Sequence, residues 1–230
     1  MVKIALFAEG HTDQLVLKNV LLGGSQFDEE PEVHFVQPLA PGVGANGSYA
    51  PGGWTVLFDA LRRGEHRKAL QYNDLLVIHV DTDVCDEVGF GVTKVADPEE
   101  LATAVQERLC TEMGAGFCSE FASRVLFAIA VDEIECWLLP LLFDDRKAKQ
   151  GKTTGCLEAA DRELARRNRD RLSVGGDKNP KSYQNESRPF LKPRTLQACA
   201  PLNPSLGRFV AAWAGWQREW VEKESAVAAG

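Results

Sequence analysis

Apolar runs of strand length alternate along the chain with segments in which apolar residues recur at helical spacing. Three runs, at residues 3–8, 75–80 and 125–131, are rich in aliphatic and β-branched residues and show little polar alternation. Runs of this kind are typical of strands that are buried on both faces of a parallel sheet. A shorter run at Val33–Val36 predicts a further strand.

Helical periodicity follows most of these strands. The pattern predicts helices from the turn after Glu9 to about Leu22, over Trp54–Lys68, from Asp97 to about Met113, over Cys136–Phe143, over residues 156–171 and over Gly207–Ala228. Residues 174–204 are expected to be loop-rich, and the Gly- and Pro-rich residues 38–53 to form a long surface loop.

The alternation of strands and helices predicts an α/β fold with a mostly parallel sheet flanked by helices. This rhythm ends near residue 145, where a basic segment begins. We therefore expect an α/β domain over residues 1–145, and a basic, mainly helical C-terminal extension over residues 146–230 that packs on it.

The composition, 44% apolar and 26% charged residues, is that of a globular protein. No apolar run is long enough to span a membrane, so no membrane partner is expected. The N-terminus lacks the cleavage region of a signal peptide, which predicts a cytoplasmic protein. The six cysteines form no CxxC pair, which disfavours a zinc site and predicts buried free thiols in a reducing compartment.

The net charge of −7 conceals an asymmetry. Residues 162–194 carry ten Lys or Arg against four Asp or Glu, a balance of +6, so the rest of the chain carries −13. A basic strip of this kind can follow a phosphate backbone, or it can be a solvated helix face. Trp213, Trp216 and Trp220 lie at helical spacing, which favours packing in the core or in an oligomer interface over a platform for nucleobases.

Acidic residues follow three of the predicted strands. Glu9 follows the first, Asp81 and Asp83 follow a central strand, and the segment 132–135 follows a later one. An isolated Asp-x-Asp pair is more often a solvated turn or a helix cap. The carboxyl ends of parallel strands share one edge of the sheet, however, so these side chains are expected to converge there. Asp13, four residues past Glu9, can return toward the same place, and the cluster predicts a Mg²⁺ or Mn²⁺ site.

These residues resemble those of a known domain. The segment Ala8-Glu9-Gly10-His11-Thr12-Asp13, with the later Asp81-Thr82-Asp83, resembles the Toprim domain of topoisomerases, bacterial primases and OLD-type nucleases, and Asp13 is more like the OLD branch. The segment 131–139, VDEIECWLL, is similar to the EIEAWLL segment of a small Toprim-like family of bacterial proteins. Residues 179–181 and 204–209 also look like that family.

The resemblance implies a Toprim-like (Rossmann-like) fold and a metal-dependent nuclease that hydrolyses DNA, or RNA, by a one- or two-metal mechanism. The implied metal ligands are Glu9, Asp13, Asp81 and Asp83, with Mg²⁺ or Mn²⁺ as the ion. Glu133 or Glu135 would complete the metal shell or orient water, and Lys178 or Lys181 would stabilise charge in the transition state. A role in defence against phages or mobile elements, with an ATPase partner, is implied in the same way.

Two other functions stay open on the residues alone. One is a Toprim-like scaffold that binds nucleic acid or an ATPase partner without cleaving. The other is a phosphatase with Asp81 as nucleophile, which would leave Glu9 unexplained. Asp86 and Glu87 are expected to be solvated rather than to bind the metal, and His11 to be a turn residue rather than a general base.

Overall fold

The computed structural model describes residues 1–39, 51–143 and 150–228. Its centre is a four-stranded sheet of β1 (Lys3–Phe7), β2 (Glu32–Gln37), β3 (Leu75–Asp81) and β4 (Val125–Ala130), in the order β2-β1-β3-β4. All neighbouring strands are parallel. The predicted α/β fold with a parallel sheet is confirmed.

Helices cover the sheet. They are α1 (His11–Gly23), α2 (Trp54–Arg62), α3 (Glu65–Ala69), α4 (Pro98–Met113), α5 (Phe117–Glu120), α6 (Glu135–Leu142), α7 (Cys156–Arg166), α8 (Pro180–Ser187), α9 (Pro193–Cys199) and α10 (Pro204–Ala228). Short 3₁₀ turns lie at Ala122–Arg124, Arg188–Leu191 and Ala200–Leu202, and a small hairpin joins β5 (Ser173–Val174) to β6 (Asp177–Lys178). Asp97 caps the start of α4, because its side chain accepts hydrogen bonds from the backbone N–H groups of Glu99 and Glu100.

Three predicted elements differ from the structure. The helix predicted over Trp54–Lys68 is two helices, because Gly64 with φ +73° ends α2 and starts α3. The helix predicted over 156–171 ends at Arg166. The segment 174–204 is not loop-rich, since prolines at the first turn start both α8 and α9. Of the loop predicted at 38–53, residues 40–50 lie outside the described residues.

The core lies on both faces of the sheet. On one face α2 and α4 pack against the strands, and on the other α1 packs together with side chains of the C-terminal segment, such as Phe190 and Trp213. The backbone of α1 touches that segment so closely that a Cβ on Gly23 would lie 1.7 Å from the carbonyl oxygen of Phe190. Residues 150–228 therefore share a hydrophobic core with the N-terminal half of the chain.

The tryptophans of α10 are core residues. Trp213 and Trp216 are buried, and their indole N–H groups donate to the carbonyl oxygens of Leu21 and Ser123 at 3.1 and 2.8 Å. Trp220 is only partly buried and stacks on Trp216 with ring centroids 5.1 Å apart. Of the three, Trp220 alone keeps surface for the oligomer contact that the sequence suggested.

The prediction of free thiols is wrong for four cysteines. Cys110 in α4 bonds to Cys118 in α5, and Cys136 in α6 bonds to Cys156 in α7. Each disulfide joins two helices that are consecutive in the described part of the chain, a pairing that separations of 8 and 20 residues do not reveal in the sequence. Cysteine usage therefore gives no support to a reducing compartment. Within the described ranges, no helix is both long and apolar enough to cross a membrane.

Candidate functional site

The predicted acidic cluster forms at the carboxyl ends of β1 and β3, which are adjacent in the sheet. Glu9 lies two residues past β1, and Asp81, which is 6% exposed, is the last residue of β3. Asp83 lies two residues further on, in an exposed position at the rim. Burial and the charges of Asp13 and Asp83 raise the pKa of Glu9 to about 8, so these carboxylates are close enough to interact electrostatically.

Asp13 joins this cluster from the first turn of α1. Its Oδ2 accepts the backbone N–H of Gly10 at 2.7 Å, and its Oδ1 accepts the hydroxyl of Thr12 at 3.2 Å. These two bonds direct the carboxylate back over the helix N-terminus, where it is 2% exposed. Burial, followed by the charge of Asp13, raises the pKa of Asp81 well above its ordinary value.

Glu135 enters the cluster from the first turn of α6 and is fully buried. Its Oε1 accepts hydrogen bonds from the ammonium of Lys178, at 2.9 Å, and from the hydroxyl of Tyr183. The same ammonium lies 4.0 Å from Oδ1 of Asp13. The Lys178 side chain is 38% exposed, yet its charged end contacts two buried carboxylates.

The protonation states in this network follow from the charges. Burial alone would lower the pKa of Lys178, but the charges of Asp13 and Glu135 raise it above its ordinary value. Burial and the negative charge of Glu135 raise the pKa of Tyr183. Lys178 therefore stays charged and Tyr183 stays a hydrogen-bond donor at neutral pH.

A neutral histidine lies beneath the carboxylates. His79 is fully buried in β3, with Nε2 3.4 Å from Oδ1 of Asp81 and Nδ1 3.9 Å from Oδ2 of Asp13. Burial lowers the pKa of His79 to about 4, although the charge of Asp13 opposes this. The ring is therefore neutral, and it does not offset the negative charge above it.

Three buried carboxylate oxygens in this region have no donor among the residues that the structure describes: Oε2 of Glu9, Oδ1 of Asp81 and Oε2 of Glu135. Buried polar atoms are nearly always hydrogen-bonded, so such a group indicates a place where water or an ion binds. Lys178 contacts Glu135 and Asp13, and no described cation forms an ion pair with Glu9. When these carboxyl groups are ionised, the site carries more negative charge than the described side chains balance, and a bound cation would favour that ionised form.

The remaining predicted residues lie at the periphery. Oε1 of Glu133 accepts the backbone N–H of Leu157 at 2.6 Å, and burial together with the charge of Glu135 raises the pKa of Glu133 to about 7. Lys181 is exposed on α8, three residues past the lysine that contacts the carboxylates. Of the two lysines and two glutamates that the sequence offered, Lys178 and Glu135 reach the centre.

Other residues of the acidic turns have structural partners. Asp132, with φ +69°, accepts the backbone N–H groups of Thr82 and Asp83 on its carbonyl oxygen at 2.9 Å each and so joins the ends of β3 and β4. The exposed Asp86 and Glu87 contact Lys94 and Trp54, respectively, instead of the other carboxylates.

The sequence did not single out Tyr183 or His79 for this site. Tyr183 lies 48 residues from Glu135 and no motif connects the two, so no local signal could have identified it. His79 did leave a signal, because it is a polar residue inside the otherwise apolar run Leu75–Val80.

The distances between potential metal ligands differ between the acidic cluster and a second group of residues. In the described ranges, only Asp132, Cys136 and Cys156 bring three potential ligand atoms within 4.8 Å of one another. The two sulfurs are bonded to each other, and thiolates are soft ligands that do not suit Mg²⁺. The predicted ligands Glu9, Asp13, Asp81 and Asp83 are more widely spread. Their spacing suits an ion held by one or two carboxylates, with water or substrate phosphate in the other positions, which is how Mg²⁺ usually binds.

Neither a model of a protein family, nor a curated protein, nor a solved structure matches this chain. The resemblance to the Toprim domain accordingly rests on the motif residues alone.

Proposed function

We propose that this protein is a Mg²⁺- or Mn²⁺-dependent nuclease with a Toprim-like fold. One observation carries the proposal: the carboxyl groups of half-buried Glu9, just past β1, and of buried Asp81, at the end of the adjacent β3, both have raised pKa values. Each also has one buried oxygen without a hydrogen-bond donor among the described residues. Neighbouring carboxyl groups whose pKa values are raised by burial and by one another are typical of a functional site.

The site fits a hard divalent cation, because three buried carboxylate oxygens lie there without a hydrogen-bond donor among the described residues, beside the two ring nitrogens of His79, which also make no hydrogen bond. Glu9 and Asp81 would hold the ion, with Asp83 at the rim and Asp13 behind them as further ligands. A bound Mg²⁺ would polarise a phosphodiester and lower the pKa of an attacking water.

The other side chains of the site have roles that follow from their contacts. Lys178 and Tyr183 fix the carboxylate of Glu135 through Oε1, which leaves Oε2 to accept a proton from the attacking water. The ammonium of Lys178 can also donate to a phosphate oxygen, which stabilises negative charge that develops there. Lys178 thus takes the role for which the sequence offered both Lys178 and Lys181.

The test is a cleavage assay with plasmid, single-stranded DNA and RNA in Mg²⁺ or Mn²⁺. We expect cleavage by the wild type, with DNA preferred, and its loss in Glu9→Ala and Asp81→Asn. Asp86→Asn is the matched control, because it removes a carboxylate of the same acidic turn that is exposed and paired with Lys94. Cleavage that survives in both site variants contradicts the proposal.

A binding module that does not cleave is the second candidate. It is favoured by the wide spacing of the carboxylates, no three of which approach within 4.8 Å in the described part of the chain. If the protein is such a binding module, it should bind nucleic acid but give no cleavage products in the same assay. A role in defence and an ATPase partner are further proposals, supported by the motif resemblance alone.

A further inference from the structure

A cavity of about 280 Å³ lies next to the acidic cluster, where the N-terminal turns of α1 and α8 approach β2. Leu15, Phe35 and Pro180 form an apolar wall, and His11, Gln14, Lys181 and Gln184 contribute polar groups. The cavity is near the lower end of the sizes that bind small organic molecules, so it suits one small planar group.

The chain connects this cavity directly to the carboxylates. Gln14 follows Asp13 in the first turn of α1, and Lys181 lies three residues past Lys178. The cavity is thus lined by sequence neighbours of Asp13 and Lys178, and a ligand group in it would lie on the side of the acidic cluster formed by the first turn of α1. For a polynucleotide, the cavity is a place for a nucleotide next to the reacting phosphate.

The side-chain amide of Gln14 indicates which ligand groups the cavity can bind. Its side chain is fully buried, and its Nε2 donates to the carbonyl oxygen of Pro38 at 2.7 Å, which fixes the orientation of the amide. Its Oε1 has no donor anywhere in residues 1–39, 51–143 and 150–228. A buried acceptor of this kind requires a donor, so it favours an N–H group and disfavours a phosphate oxygen.

Phe35 and Lys181 provide an aromatic surface and a positive charge at the cavity. Phe35 is partly buried on the edge strand β2, and its ring offers a surface on which a base can stack. Lys181 is exposed at the cavity and has no ion-pair partner among the described side chains, so its ammonium is available to a phosphate. An apolar wall, an aromatic ring, an acceptor and a nearby cation together match a nucleotide.

We propose that the cavity binds one unpaired nucleobase of the substrate, stacked on Phe35 and donating a hydrogen bond to Gln14. The position of the reacting phosphate rests on the proposed nuclease function. A base inside a duplex is paired and stacked on both faces, so it cannot enter such a cavity. The substrate is therefore a single strand, or a duplex opened at the site.

The test measures binding without cleavage, with fluorescent single-stranded oligonucleotides in Ca²⁺ in place of Mg²⁺. One probe is intact and the other carries abasic sites. Base stacking contributes enough that the wild type should bind the intact probe roughly tenfold or more tightly. Phe35→Leu should lose most of this preference while it leaves the bond between Gln14 and Pro38 intact. Gln14→Met should lose part of it.

Tyr72→Leu is the control. Tyr72 is 75% exposed and precedes β3, at the edge of the sheet opposite the site, so its loss should leave the preference unchanged. A photo-crosslink from an oligonucleotide with 5-iodouracil, mapped by mass spectrometry, should fall on Phe35. This measurement uses the wild type and does not depend on whether the variants fold.

The outcomes separate the two proposals. Equal binding of the intact and abasic probes, no binding of either, tighter binding of duplex, or a crosslink elsewhere overturns the cavity assignment, while cleavage in Mg²⁺ would still support the nuclease. Base-dependent binding without any cleavage supports the cavity assignment and rejects the nuclease.

Discussion

Removal of the ammonium of Lys178 tests the charge balance of the site. In Lys178→Met the side chain keeps a similar length, but Glu135, which is fully buried, loses a donor at 2.9 Å and Asp13 loses a cation at 4.0 Å. We expect the folded state to be destabilised, because buried negative charge then has less compensation.

The magnitude follows from the geometry. At 2.9 Å, and with an effective dielectric constant of about 20, the attraction between Lys178 and Glu135 is roughly 6 kcal/mol, most of which the cost of desolvation offsets. Removal of one partner of a buried pair costs about 3–5 kcal/mol. The Lys178 side chain is 38% exposed, so solvent screening reduces this to about 2–3 kcal/mol. For a chain of this length the expected fall in Tm is roughly 5–10 °C.

The assay is chemical unfolding at pH 7 in the absence of divalent ions, with a double-mutant cycle. Lys178→Met and Glu135→Gln should be strongly non-additive, since the second change removes the charge that the first one leaves uncompensated. Lys181→Met is the control, because it removes an exposed lysine of the same region and should change stability by less than about 0.5 kcal/mol.

Two results would refute the reasoning. One is a loss of stability in Lys178→Met that is no larger than in Lys181→Met. The other is a double variant whose loss equals the sum of the two single losses. Either result would show that Lys178 is solvated and does not balance the carboxylates.

Three further predictions concern other parts of the fold. Burial, followed by the charge of the adjacent arginine, lowers the pKa of His66 to about 4, so as the pH falls the unfolded chain takes up the proton first. The contribution of His66 to stability should therefore be full above about pH 6.5 and fall by about 2 kcal/mol between pH 7 and pH 5, so in urea titrations the wild type should lose about 2 kcal/mol more than His66→Leu over this range. Gly23→Ala should lower the unfolding free energy by about 3 kcal/mol or more, since its Cβ would lie 1.7 Å from a backbone carbonyl oxygen. The control, Gly215→Ala, lies in an open position of α10 and should raise the unfolding free energy by roughly 0.5–1 kcal/mol. Equal effects of the two variants in thermal melts would contradict the packing of α1. Reduction of the disulfide that closes the loop between Cys136 and Cys156, or Cys136→Ser, should cost about 3 kcal/mol in the same unfolding assay, and unchanged stability would show that this bond contributes nothing.

The strands and the convergence of the acidic residues could be predicted because their causes are local. A continuous apolar run such as Leu75–Val80 indicates a buried strand whatever surrounds it. Once the sheet is parallel, its strand ends must share one edge, and Glu9 and Asp81 meet there.

The rest of the site depends on contacts between distant segments. Lys178 reaches Glu135 from a hairpin with only two residues in each strand, and Tyr183 reaches it from a helix of eight residues. A strand of two residues has too few positions to show a period, and α8 is a polar helix in which Tyr183 is the one aromatic residue, so the sequence suggested loops over 174–204. The disulfides were missed for a similar reason, since their pairing depends on how neighbouring helices pack.

The connection between β2 and α2 is attached at both ends to the tip of β1. The backbone N–H of Ala8 donates to the carbonyl oxygen of Gln37 at 2.6 Å, and the backbone N–H of Gly53 donates to that of Glu9 at 2.8 Å. Because the two anchors hold neighbouring residues, the chain between them can change in length or composition without displacing the Glu9 carboxylate, and each doubling of its length costs only about 0.6 kcal/mol. The backbone position of Glu9 is therefore set by these two hydrogen bonds and not by the length of the connection.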